Sequence, residues 1–178
     1  MNTTELPKEL LWFLEVWSGD LAGDLATRLN CSEVDALADL LRFYGRDGAA
    51  AEWINHHSYG DDDPDDRHIR TPETAIGYEL AELIGYHPAL ELAEEDPETF
   101  GAGHLVLRAG DDDRFAITER TDKPADDESR EIVGWAWSEQ QRGAEGLWVE
   151  VGNGQTEADD LEPLMLAAWQ WATRVVGS

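Results

Sequence analysis

Three kinds of side chain in this sequence have the chemistry to form a site: a run of carboxylates, five histidines and one cysteine. The carboxylates gather in residues 60–70, GDDDPDDRHIR, where Asp61, Asp62, Asp63, Asp65 and Asp66 surround Pro64 and precede His68. Clustered carboxylates attract hard cations, because Ca²⁺ and Mg²⁺ take several oxygen ligands. A calcium loop, however, spaces its ligands at alternate positions around a glycine. With Pro64 in mid-run, this segment reads as a solvated acidic loop. His56 and His57 end a helical stretch just before it. Histidine beside aspartate suits Zn²⁺ or Ni²⁺. Neighbours on a helix point about 100° apart, so the two do not easily meet one ion, and the helix dipole favours histidine at a C-terminus in any case.

The remaining candidates are thinner. Cys31 stands at a helix start, where a thiolate is stabilised, but no patterned histidine accompanies it. His104 opens a strand, where Glu119 or Asp113 on a neighbour could complete an acid–base pair. His87 precedes Pro88 and reads as a helix terminator. No serine sits in a Gly-x-Ser-x-Gly elbow. Residues 101–103 (GAG) and 152–154 (GNG) read as turns, with neither a P-loop nor a dinucleotide fingerprint. The single cysteine excludes an internal disulfide and a multi-cysteine metal site. The sequence alone therefore assigns no catalytic residue, no metal and no cofactor.

The elements that would position these residues follow from hydrophobic spacing. Leu10, Leu14, Trp17, Leu21 and Leu25 form one apolar stripe, with a break expected at Ser18-Gly19-Asp20. Asn30 with Glu33 offers a capping box, and Val34, Leu37, Ala38, Leu41 and Tyr44 continue as a second stripe ended by Gly45. Asp47 starts a short helix on which Ala50, Trp53, Ile54 and His57 share a face. Thr71-Pro72-Glu73 starts another, carrying Ile76, Leu80, Leu83 and Ile84, and residues 88–96 read as a last helical turn or two. Beyond Gly101 the pattern turns to short β-branched and aromatic runs at 104–108, 114–119, 132–137 and 147–151, separated by turn-forming segments. Residues 161–176 form an amphipathic helix. The fold class expected is α+β: a helical N-terminal half, a four-stranded antiparallel meander, and a C-terminal helix packed on the sheet. A helical subdomain over 1–60, an acidic loop or linker over 61–70 and an α+β subdomain over 71–178 are expected to share one compact unit.

Charge bounds the partners. Thirty-nine acidic residues against thirteen Lys and Arg give a formal net charge of −26. Such a surface repels nucleic acid and anionic lipid, both of which need Lys and Arg to neutralise phosphate, and it speeds encounter with basic proteins. Eight Trp mark a chain that folds. The absence of an apolar run of membrane-spanning length, and of a basic segment leading into an apolar one, makes the cytoplasm the expected compartment. A residues 24–42 resemblance to helix-turn-helix spacing fails on sign, since the would-be reading helix carries Glu33, Asp35 and Asp39 against Arg42.

These observations lead to a non-enzymatic acidic module that binds a basic protein. Its sharpest form is a nucleic-acid mimic, of the kind phages and plasmids use to block restriction, CRISPR or repair complexes. Duplex DNA presents one charge per ~1.7 Å, and acidic runs at 61–66, 94–98, 111–113, 126–128 and 157–162 would have to line one face. The expected acidic contacts are Asp61, Asp62, Asp63, Asp65, Asp66, Asp111, Asp112, Asp113, Asp126, Asp127 and Glu128. Trp135 and Trp137, two apart on a strand, are the expected aromatic contacts. Two alternatives stand beside this reading. One is an accessory interaction domain whose acidity belongs to a salt-adapted or GC-rich organism, a view that two Lys against eleven Arg would suit. The other is a motif-poor enzyme that uses a metal.

Overall fold

The computed structural model describes residues 6–61, 65–93, 104–124 and 129–177. The chain forms two compact units, Met1–Tyr86 and His87–Ser178. The boundary follows the last N-terminal helix. The acidic loop lies within the first unit, where Arg67 and His68 contact Asp35 and Arg70 contacts Asn55.

The first unit is helical: α1 (Lys8–Trp17), α2 (Leu21–Leu25), a 3₁₀ turn (Ala26–Arg28), α3 (Cys31–Phe43), α4 (Asp47–Ser58) and α5 (Pro72–Tyr86). The break between α1 and α2 falls at Ser18-Gly19-Asp20. The start of α3 is fixed by a reciprocal capping box: the Glu33 amide donates to Asn30 Oδ1 at 3.1 Å, and the Asn30 amide donates to Glu33 Oε2 at 2.9 Å. Gly45, at φ 70°, reverses the chain between α3 and α4. The core gathers Leu14, Ala22, Ala26, Val34, Ala38, Leu41, Ala50 and Trp53. Trp53 is fully buried because its indole N–H donates to the Trp17 carbonyl at 2.9 Å.

Gly48 and Gly85 let α4 and α5 approach closely. A methyl group at Gly85 would stand 2.6 Å from the Gly48 Cα, nearer than side chains tolerate. A polar seam runs beside this contact. The Arg70 guanidinium donates to Asn55 Oδ1 (2.7 Å), Ser58 Oγ (3.1 Å) and Glu79 Oε1 (2.6 Å), and Asn55 donates to Glu82 (2.9 Å).

The second unit is a five-stranded antiparallel meander in sequence order, β1 (Leu90–Ala93), β2 (His104–Ala109), β3 (Asp113–Thr121), β4 (Ile132–Arg142) and β5 (Trp148–Glu157), closed by α6 (Glu162–Val176). The expected α+β order holds, with one strand more than four. Residues 90–93, read as helical, instead pair along β2, Leu90 opposite Ala109 and Leu92 opposite Leu107. Local helix preference yields there to the backbone hydrogen bonds that β2 offers. β5 also runs further than residues 147–151. Residues 152–154 are strand, because Trp137 lies across Gly154, where any Cβ would collide with the indole. α6 lies on the sheet through Trp171 against Phe115, ring centroids 5.6 Å apart, and through the Arg174–Glu139 ion pair.

A candidate metal centre in the helical unit

Four residues weighed separately in the sequence meet in the first unit. Cys31 is the first residue of α3, His57 lies in the last turn of α4, and Asp61 and His68 come from the segment after it. One ligand atom from each lies within 4.8 Å of every other. Asp61 sits at the middle: its Oδ1 is 3.3 Å from His57 Nε2, and its Oδ2 is 3.5 Å from Cys31 Sγ and 3.9 Å from His68 Nδ1. The side chains of His57, Asp61 and His68 are 2%, 9% and 11% exposed.

Each histidine is oriented from behind. The Ala26 carbonyl can only accept, so His57 Nδ1, 2.9 Å away, carries the proton. In the neutral ring this leaves the lone pair on Nε2, facing Asp61. His68 Nε2 lies 3.0 Å from Asp35 Oδ1, which directs the Nδ1 lone pair of the neutral ring to the same point. Asp35 is itself held by Arg67 at 2.8 Å. Nε2 of His57 and Nδ1 of His68 are buried without a hydrogen-bond partner among the described residues. Two imidazole lone pairs aimed at a carboxylate repel unless protons or a cation come between them.

The thiol has the same unresolved character. Partial burial, the hydrogen bond to Asp61 and the charge of Asp61 all hold Cys31 above its usual range. That is the opposite of what a nucleophilic cysteine needs. Cys31 also contacts the carboxylate rather than an imidazole, so this is not a cysteine–histidine nucleophile. A divalent ion among the four would reverse the balance, since a coordinating thiol loses its proton.

One sulfur, two imidazole nitrogens and one carboxylate oxygen form a donor set that suits Zn²⁺. Zinc bonds of about 2.0–2.3 Å imply tetrahedral edges of about 3.3–3.8 Å; Asp61 Oδ2 lies 3.5 Å from Cys31 Sγ and 3.9 Å from His68 Nδ1, whereas His57 Nε2 meets the other carboxylate oxygen, Oδ1, at 3.3 Å. The backbone carbonyl and carboxylate behind the two rings are the partners that metal-bound histidines ordinarily keep.

The other sequence candidates lie elsewhere. The His56 ring turns towards Tyr59, 6.4 Å between centroids, so only one of the adjacent pair joins the cluster. His104 pairs with Thr118 across the sheet, while Glu119 is held by Arg130 and Asp113 by Gln141. The His87 ring meets Trp169 edge-on at 5.2 Å. Of the acids expected to face a partner, Asp61 points inward to the histidines, Asp65 is exposed and Asp66 is half-buried. Asp111 and Asp112 are exposed at the β2–β3 turn, and Asp113 is half-buried. Asp62, Asp63, Asp126, Asp127 and Glu128 lie outside the described residues, as does the run 94–98. Trp135 is 1% exposed, within the core of its unit, and Trp137 is half-buried against Gly154. Asp35 and the Ala26 carbonyl carry no sequence signal of a role in a site. The one signal available was His57 and Asp61 four residues apart, with His57 on the apolar face of its helix.

No protein-family model matches this chain, and comparison with curated proteins and with solved structures gives no match. No helix among the described residues is long and apolar enough to cross a membrane.

Proposed function

We propose that the protein is a non-enzymatic, zinc-stapled binding module whose partner is a basic protein. The observation that carries the zinc reading is the pair of buried imidazole nitrogens, without a hydrogen-bond partner among the described residues, turned to one carboxylate and one thiol. Four protein donors complete a tetrahedron, the closed arrangement of structural zinc, whereas a catalytic ion keeps a position for water or substrate. The ion would pin α3, α4 and the acidic segment to one another. It would supply the cross-link that a chain with one cysteine cannot make as a disulfide.

The net charge of −26 supports the sign of the partner. Mimicry of a nucleic acid, with blockade of a basic defence complex, is the narrower form of the same reading. Its described carriers are the exposed Asp65, Asp111 and Asp112.

The test is titration of the demetallated protein with Zn²⁺ against a chromogenic chelator, beside Cys31→Ser and Asp61→Asn. One equivalent of tight binding, weakened at least about tenfold in each variant, is expected. Binding that both variants leave intact would overturn the site.

A further inference from the structure

We infer that the outer edge of β5 is a docking strand for a basic, extended segment of another protein. This rests on the basic partner proposed above and is independent of the metal. β5 is the last strand of the sheet, paired on one side only, to β4. Among the described residues, no strand neighbours the N–H and C=O groups of its outer side. Native proteins blunt such edges with charged side chains, proline, β-bulges or covering elements, because an open edge templates pairing with another chain; on β5 the charges are the acidic Glu150 and Glu157, and a bulge falls at Val151. β5, WVEVGNGQTE, contains neither lysine nor proline. It presents Val149 at 51% and Val151 at 56% exposure, and Leu147 just before it at 66%. Val151 is the extra residue where the β4–β5 register slips, Glu139 opposing Gly152 and Gln140 opposing Glu150. The slip leaves Val151 without a cross-strand partner of its own.

Charge selects the occupant. Arg114 and Arg142 lie over the Trp148 ring at the start of β5; beyond Arg142 the chain carries no Lys or Arg until Arg174, yet it holds Glu145, Glu150, Glu157, Asp159, Asp160 and Glu162. Glu150, Glu157, Asp159 and Asp160 are all exposed on or just past the strand. An added strand that alternates basic and apolar side chains would meet both features: backbone bonds and the valines along the edge, and carboxylates beside it. A second copy fits poorly. Antiparallel pairing of β5 with itself about Glu150 would set that carboxylate against its own equivalent, between two chains each at −26.

The test uses the full chain and a short peptide alternating lysine and valine. The control is the same peptide N-methylated at every amide, which keeps its charge but has no N–H to donate to β5. Binding is followed by calorimetry, and its place by amide hydrogen exchange. We expect the free-amide peptide to bind and to slow exchange in residues 148–157, and the N-methylated form to bind at least about tenfold more weakly. The exposed double substitution Val149→Lys with Val151→Lys should cost a similar factor. Equal binding by the two peptides, or protection elsewhere on the chain, would overturn the edge while leaving the basic partner standing. No binding of either peptide would overturn both. Dimerisation in sedimentation, lost in the double variant, would assign the edge to a second copy instead.

Discussion

His57 and His68 meet edge to face, 5.2 Å between ring centroids, with Nε2 of the first and Nδ1 of the second buried and unpartnered among the described residues. Each ring is fixed on its far side, one by the Ala26 carbonyl and the other by Asp35. Neither can turn its free nitrogen to water without giving up that anchor. A cation between them would remove the repulsion of the two lone pairs and the carboxylate, and its binding would then be coupled to folding of this unit.

That coupling sets the first prediction. Zinc at about one hundred times its dissociation constant adds about 2.7 kcal/mol to the state that binds it. In a unit this small the shift in Tm is about 10 °C or more. Calorimetry with Zn²⁺ and then with a chelator in excess should move the transition of the helical unit up and back. The transition of the sheet unit should stay where it is. Superimposable scans would contradict the coupling.

Asp35 is a positioning residue: it contacts His68 Nε2 and Arg67, and none of the four donor atoms is its own. Asp35→Asn should weaken zinc binding about 10- to 100-fold with the stoichiometry still one. Asp39, on the same helix and paired with exposed Arg42, is the control. Equal effects of Asp35→Asn and Asp39→Asn on affinity would show that general charge, not ring orientation, sets it.

Most helices of the first unit were legible because each carries its own stripe and punctuation: Val34, Ala38 and Leu41 on α3, Asn30 and Glu33 at its start, Gly45 after it. β1 was not legible. A four-residue run becomes strand only through β2, which lies beyond residues 94–103 in sequence. The candidate centre was legible in its parts and not as a site. Cys31 and Asp61 are 30 residues apart, and what brings them together is the α3–α4 hairpin. No short spacing records that convergence. Trp135 shows the converse limit: strand alternation gives its face, while only the packing of α6 and the sheet makes that face interior.

Glu82 gives a pH prediction. Burial raises its carboxyl above the ordinary value of 4.5, against the opposing hydrogen bond from Asn55. The folded state therefore holds this proton more tightly than the unfolded chain. Stability is lost as pH rises from 4.5 through the folded value, and the loss is complete above it. Glu82→Gln keeps an acceptor for Asn55 and removes the charge. The variant should melt higher than the parent at pH 7, with the difference vanishing below pH 4.5. A constant difference at every pH would assign the effect to packing.

Gly85 tests the α4–α5 contact. The atoms that a methyl group at Gly85 would meet belong to the Gly48 and Asp47 backbone, which cannot rotate away. Gly85→Ala should destabilise the helical unit by about 1–3 kcal/mol, read by denaturant unfolding, even though alanine has the higher helix propensity. A stabilised variant would mean that the two helices separate at little cost.

The most direct measurement of the central claim is the absorption spectrum of the protein loaded with Co²⁺ in place of Zn²⁺. Four-coordinate binding predicts the intense visible bands of a tetrahedral ion, together with a sulfur-to-cobalt charge-transfer band that Cys31→Ser abolishes. A pale, octahedral spectrum that Cys31→Ser and Asp61→Asn leave unchanged would contradict it.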